Sequence, residues 1–216
     1  MTVTTSGKIS ELANALVRSR ALKFGSFRLK SGIESPYYID LSALLSSPAS
    51  FERVVEIVAE KVKEIAPSLR VNKLASIELK GALLLPSIAC KLSLPSFVVR
   101  KQSKSYGLTG RIAGGEIEED DRILFFDDVV TEAKSKIEGI EPIERLGAKV
   151  CAILVVVDRE QGGKQNLEKM GYKLYSAATI SQIIRNLLSS RAIPEEQTKK
   201  ILSYLKEQSK ARQYWV

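Results

Sequence analysis

The residues best suited to chemistry stand in the run Ile123-Leu124-Phe125-Phe126-Asp127-Asp128-Val129-Val130-Thr131-Glu132-Ala133-Lys134-Ser135. An apolar segment ends in two adjacent carboxylates. A short stretch with a hydroxyl at each end follows, and a helix-like segment begins. In an open α/β sheet, ligands bind where strands end and helices begin. A helix N-terminus offers free N–H groups and a positive dipole end, which suit a phosphate. Two carboxylates beside such a cradle can hold the hydroxyls of a sugar or a hydrated Mg²⁺. The plainer alternative is a buried strand whose aspartates cap the next helix.

A second cluster is basic. Arg100, Lys101 and Lys104 precede Tyr106-Gly107 and open a polar, glycine-containing stretch that runs to Gly115. Charge clusters are usually solvated faces. This one abuts an apolar strand and opens a long segment, which favours a closing lid. The run Glu116 to Asp121 holds five acids and reads as a solvated turn.

The 216 residues contain no histidine, which excludes His-based triads, His general bases and HExxH metal sites. Proton transfer must then use carboxylates, Lys, Tyr or the substrate itself. There is no CxxC pair, Walker A loop or GxGxxG fingerprint. The net charge of +8 attracts polyanions. No recognisable nucleic-acid motif or arginine-rich run accompanies it, so nucleic acid is not the expected partner. A highly phosphorylated small substrate suits a basic cleft equally well. No apolar run approaches the roughly 20 residues needed to span a bilayer. The first residues lack a signal-peptide pattern. Cys90 and Cys151 lie far apart in apolar contexts and read as buried reduced thiols, which places the chain in the cytoplasm.

These groups must be carried by a scaffold, and the length fits one domain. Ile9, Leu12, Ala13, Leu16 and Val17 recur at helical spacing, so 7–20 reads as an amphipathic helix that Ser6 caps. Short strands are expected at 24–29 and 37–41, and a helix at 51–65 that stops before Pro67. Further strands are expected at 74–77, 97–99, 122–126 and 150–157, with an edge strand at 173–175. Helices are expected at 81–92, 135–146, up to 170, at 179–188 and at 195–208. Strands alternating with helices argue for an α/β fold with a parallel sheet.

Four segments, in order, resemble one family. The run 123–135 resembles the phosphoribosyl-diphosphate (PRPP) motif of type I phosphoribosyltransferases. Phe24-Gly-Ser-Phe27-Arg-Leu-Lys30-Ser-Gly, followed by Ser35-Pro-Tyr37-Tyr38-Ile39-Asp40, resembles the start of orotate phosphoribosyltransferases. Arg100-Lys101-Gln-Ser-Lys104-Ser-Tyr106-Gly107 resembles their mobile catalytic loop. Val157-Asp158-Arg159-Glu160-Gln161-Gly162-Gly163 resembles their orotate-binding segment.

The resemblance implies a type I phosphoribosyltransferase fold, with a mostly parallel central sheet flanked by helices. Residues 1–45 would form an N-terminal helix and hood, and 46–216 the core. It implies Mg²⁺-dependent transfer of ribose 5-phosphate from PRPP to orotate, giving orotidine 5′-monophosphate and pyrophosphate in pyrimidine biosynthesis. Asp127 and Asp128 would hold the ribose hydroxyls and face the oxocarbenium. Thr131, Glu132, Ala133, Lys134 and Ser135 would cradle the 5′-phosphate. Lys30 and Lys80 would touch PRPP phosphates, with Arg100, Lys101, Lys104 and Tyr106 in the lid. Lys104 would stabilise the leaving diphosphate across a homodimer, the 101–115 loop acting on the neighbouring subunit. Arg159 would grip the orotate carboxylate, and Tyr38 and Phe27 would pack beside the ring. Mg²⁺ would ride on the diphosphate, near Asp127 and Asp128, with no metal site of the chain's own.

Two segments depart from the family pattern. In the lid, Ser105 replaces an acid common in that motif. The phosphate loop usually reads Thr-x-Gly-x-Ser or Thr, and here Ala133 replaces the glycine. If that position needs positive φ, the replacement costs about 1 kcal/mol or more. Glu132 repels a phosphate unless it turns to solvent, and Lys134 offers a compensating charge. This departure supports a second reading, a phosphoribosyltransferase-like binding or regulatory protein with weak or no catalysis. A third reading, transfer to another base, sits poorly with Arg159, because neutral bases offer no carboxylate.

Overall fold

The computed structural model describes residues 4–28, 32, 34–104 and 110–213. In chain order the elements are α1 (Thr5–Arg18), β1 (Leu22–Arg28), β2 (Glu34–Ile39), a 3₁₀ turn (Leu41–Ser46), α2 (Pro48–Leu69), β3 (Lys73–Ile77), α3 (Lys80–Leu92), β4 (Ser96–Lys104) and β5 (Gly110–Gly114). Then come β6 (Arg122–Val130), α4 (Lys134–Glu144), β7 (Lys149–Asp158), α5 (Gly163–Lys169), β8 (Leu174–Thr179), α6 (Ile180–Ser189) and α7 (Glu195–Gln213).

Six strands form one sheet in the order β5-β4-β3-β6-β7-β8. Every pairing is parallel except β4 with β5. The strands β1 and β2 make a separate antiparallel pair. Side chains alternate across β6. Leu124 and Phe126 join the core beneath α1, α2, α3 and α6, while Ile123 and Phe125 pack with Ile140, Ile143 and Leu167 of α4 and α5. Helices thus cover both faces, which is why β7 is apolar at almost every position rather than at alternate ones.

The structure differs from the sequence expectations at several places, among them a strand β5 where a polar stretch was expected and strands β4 and β6 that run past 99 and 126. Thr4, not Ser6, caps α1, its hydroxyl accepting from Gly7 N. Helix α2 runs through Pro67 to Leu69. A proline so near the end forfeits one bond to the preceding turn. The buried Ile65 and Ala66 hold that turn, and Val71 N closes it on the Ala66 carbonyl. Asp121, placed in a solvated turn, is buried. It accepts from Lys73 Nζ at 2.7 Å, Asn72 Nδ2 at 2.9 Å and Glu118 N at 2.8 Å. Burial pushes its carboxyl up, but these donors outweigh that and hold it below the ordinary range. Cys90 is exposed and Cys151 partly buried, both as free thiols.

Candidate active site

The strands β3 and β6 lie side by side, yet the chain leaves β3 for β4 in one direction and β6 for β7 in the other. That reversal opens a crevice beyond their C-terminal ends, the usual ligand position in such sheets. The connections after β3, β6 and β7 meet there, with the end of β4 beside them.

Asp127 and Asp128 fall inside β6, at 5% and 7% exposure. Neither caps α4, whose N-cap is Ala133 and has no side-chain bond. Asp127 is held on both oxygens. Its Oδ2 lies 2.6 Å from the Nζ of buried Lys136, and its Oδ1 accepts from Asp128 N at 2.8 Å. Asp128 is pushed up to about 7 by its burial and then by the neighbouring Asp127 charge, with Lys136 opposing. Gly81 makes this crowding possible, since a Cβ there would stand 2.5 Å from both Asp127 Oδ1 and Ser76 Oγ.

Lys80, the first residue of α3, pairs with Asp40 at 3.0 Å. Burial would lower its pKa, but Asp40, with smaller help from Asp128 and Tyr38, raises it above the ordinary value. Glu78, just before it, accepts from Lys101 N at 2.6 Å and so ties this connection to β4. Arg100 has a buried Nη1 without a partner among the described residues. Lys104 closes β4 by its backbone, and β5 returns antiparallel to it, so the expected lid stands on a two-strand stem. Lys30 and Tyr106 lie outside the described residues.

The phosphate loop leaves β6 with Thr131 half-buried, Glu132 and Lys134 exposed, and Ser135 half-buried. Ala133 is buried at φ +81°, the left-handed region that the departure from glycine put in question. Asn166 Nδ2 donates to the Glu132 carbonyl at 3.1 Å. Gly163 presses on the loop from the other side, where a Cβ would come within 2.5 Å of the Thr131 carbonyl oxygen.

Arg159 follows β7 and donates its N–H to the Val130 carbonyl at 3.1 Å. Its guanidinium lies 5.2 Å over the ring of Tyr37, and Tyr204 of α7 meets that ring edge-on at 6.1 Å. Arg159 Nε and Nη2 and both tyrosine hydroxyls are buried with no partner among the described residues. Burial pushes the Tyr37 hydroxyl above its ordinary value, and the Arg159 charge opposes this. Tyr38 faces the other way, 37% exposed and tilted against Phe27 at 5.6 Å. The aromatic beside Arg159 is Tyr37.

Sequence reasoning assigned no role to Asp40, Glu78, Lys136, Asn166, Tyr37 or Tyr204. Asp40 and Tyr37 stood within a recognised segment. Glu78, Asn166 and Tyr204 carry no local signal, because each partner is distant in sequence or is a backbone group, and Lys136 carries none because only the fold brings it back to Asp127.

A switch-point sheet with paired carboxylates on its central strand, a phosphate-type loop behind them and a basic segment on a strand pair defines the type I phosphoribosyltransferase class. No family model matches the chain. It is 35% identical over 175 residues to the orotate phosphoribosyltransferase of Pyrococcus horikoshii, covering 81% of this chain and 92% of that one. The crystal structure of orotate phosphoribosyltransferase from Aeropyrum pernix superposes with a TM-score of 0.71 at 31% identity, over 82% of this chain and 97% of that one. The structure of Leishmania donovani UMP synthase gives 0.82 at 31% identity, over 94% of this chain but 43% of that one. The chain belongs to the orotate phosphoribosyltransferase family.

Proposed function

We propose that this chain transfers ribose 5-phosphate from PRPP to a ring nitrogen of orotate, giving orotidine 5′-monophosphate and pyrophosphate. The observation that carries the reading is the buried Asp127–Asp128 pair at the switch point, flanked by Lys80 on one side and the 131–135 loop on the other.

The bond from C1 to the diphosphate breaks ahead of the new bond, so the sugar acquires oxocarbenium character. Carboxylates aimed at that carbon stabilise the growing positive charge, an electrostatic effect strengthened by burial. Asp128, poised near neutrality, gains a reason to ionise as the charge develops. Lys80, Arg100, Lys101 and Lys104 are read as stabilising the departing diphosphate, with Lys30 and Tyr106 assigned there by family likeness. The loop Thr131–Ser135 takes the 5′-phosphate at the start of α4, and the exposed Glu132 side chain leaves that cradle uncharged. Orotate reacts as an anion, so a chain without histidine lacks nothing. Arg159 takes the orotate carboxylate, which a planar guanidinium matches as a fork.

Among the described residues, no group of three or more acidic or cysteine side chains could hold a metal ion. With Asp127 engaged by Lys136, Asp128 and water are the donors left, which suits an Mg²⁺ that arrives on the diphosphate. When bound, the ion neutralises the leaving group.

We further read the chain as a homodimer whose 101–115 segment acts on the neighbouring subunit, and the β1–β2 pair with α1 as the hood. No described helix is long and apolar enough to cross a membrane. The free thiols support a reducing compartment, the cytoplasm.

The test follows orotate absorbance with PRPP and Mg²⁺, with uracil and the purine bases as controls. Orotate-specific loss that needs both PRPP and Mg²⁺ is expected. A folded chain that turns over no base would favour a ligand-binding relative instead.

A further inference from the structure

Lys136 is only 4% exposed, and its ammonium is fully used. It meets Asp127 Oδ2 at 2.6 Å, donates to the Val129 carbonyl at 2.5 Å and reaches Ser135 Oγ at 3.4 Å. An ammonium has three donors, and these are three acceptors. They belong to the carboxylate pair, the backbone of the strand end and the far hydroxyl of the phosphate loop. One side chain therefore spans both halves of the site that would receive a sugar phosphate.

Stability alone is a poor reason for such a pair. A buried ion pair is often no more stabilising than apolar residues of the same volume, because desolvation offsets the attraction. Geometry and charge are better reasons. Asp127 has one oxygen on Lys136 and the other on Asp128 N, so its carboxylate has one orientation. Two adjacent unpaired carboxylates would repel the phosphates of the donor. Lys136 cancels one of those charges and leaves Asp128 to face the sugar. The loop between Asp128 and α4 also needs a brace, since Ala133 sits where an L residue is disfavoured.

We propose that Lys136 is a positioning residue for phosphoribosyl transfer, fixing the Asp127 carboxylate and the start of the phosphate loop in the geometry that receives the donor. This rests on the transferase reading above.

The experiment compares the full chain with Lys136→Met, Asp127→Asn and the double variant, measuring kcat, the KM of PRPP and of orotate, and Tm. Calorimetric binding of PRPP runs alongside. For Lys136→Met, the KM of PRPP is expected to rise at least about tenfold while that of orotate stays within about twofold. A merely structural role would lower the active fraction and leave both KM values alone. Adding Lys136→Met to Asp127→Asn should cost clearly less than the loss Lys136→Met causes alone, because part of the lysine's action runs through the carboxylate. Multiplied losses in the double variant would overturn the proposal, as would a PRPP KM and kcat in Lys136→Met like those of the wild type. If Lys136→Met alone does not fold, the double variant carries the test, since it removes both members of the buried Lys136–Asp127 pair. Wild-type turnover separates the two readings. If the wild type binds PRPP without transfer, the transferase reading fails, and Lys136 is judged by whether Lys136→Met weakens that binding. If it neither transfers nor binds, both fail.

Discussion

The two ends of the site solve the problem of buried charge in opposite ways. At the end proposed for the ribose, Asp127 is paired with Lys136 and Lys80 with Asp40, each within 3.0 Å. At the end proposed for the base, Arg159 is buried with two N–H-bearing nitrogens, beside two tyrosine hydroxyls, all without a partner among the described residues. A buried unpartnered donor is costly, and natural structures retain one where something else completes it. Asp127 and Lys80 are thus neutralised within the chain, whereas Arg159, proposed for the base, keeps two nitrogens without a partner among the described residues.

The contrast breaks most directly at Asp128, the carboxyl at the ribose end left without a cation of its own. Asp128→Asn is expected to lower kcat by about a hundredfold or more, the scale of losing one electrostatic contact to a transition state. It should also stabilise the fold in a pH-dependent way. The folded carboxyl titrates at about 7 against an ordinary 3.8, so the folded chain holds its proton more tightly than the unfolded one. Its contribution is fully present below pH 4 and is lost as pH rises through 7. Against wild type, the Tm of Asp128→Asn should therefore gain as pH goes from 4 to 8, with a ceiling of about 4 kcal/mol. A Tm difference that is flat across this range would mean that the carboxylate is better solvated than its burial implies.

At the base end, Arg159→Met is expected to raise the orotate KM about 10- to 100-fold, the value of charged hydrogen bonds worth about 1.5–3 kcal/mol, with the PRPP KM nearly unchanged. Because Nε and Nη2 of the guanidinium have no hydrogen-bond partner among the described residues and its one named contact is the Tyr37 ring, the ligand-free protein should lose little stability. A large fall in Tm would show that Arg159 is part of the core and would remove the contrast between the ends. The lid offers a smaller effect. If it works across a dimer, equal mixing of Lys104→Ala and Asp128→Asn subunits should restore up to about a quarter of wild-type turnover, since half the dimers are mixed and each has one intact site. No recovery in confirmed mixed dimers would confine the lid to its own subunit.

How much of this was legible follows from where each signal resides. The strands β6 and β7 are buried on both faces and so wrote unbroken apolar runs. Asp127 and Asp128 stood out because charge at the end of such a run needs an explanation. The strand β5 is five residues with a glycine at each end and becomes a strand only by pairing with β4. Tyr37 and Tyr38 are neighbours on a strand and so point to opposite faces, and their types alone do not say which faces Arg159. Lys136 stands one residue past the expected phosphate loop, at the start of a helix, where nothing in the sequence separates it from a solvated lysine. Its burial depends on α4 turning it back under β6. Asp121 was misread because its burial and its partners Lys73 and Asn72, both far away in sequence, distinguish it from the exposed acids beside it.

Ala133 gives the smallest effect and the finest probe of the end proposed for the ribose. At φ +81° an alanine carries about 1 kcal/mol of strain, which glycine would relieve. Glycine also gives the unfolded chain more freedom, an opposing term of about 0.4–1 kcal/mol. For Ala133→Gly the two nearly cancel, so Tm should move little. The loop is already held by Asn166 on the Glu132 carbonyl and by Lys136 at Ser135 and the strand end, so relieving the strain should not move the cradle. The PRPP KM is accordingly expected to stay within about twofold of wild type. A several-fold drop would show that Ala133 holds the loop away from the phosphate. The end proposed for the ribose would then take its final form only around its ligand.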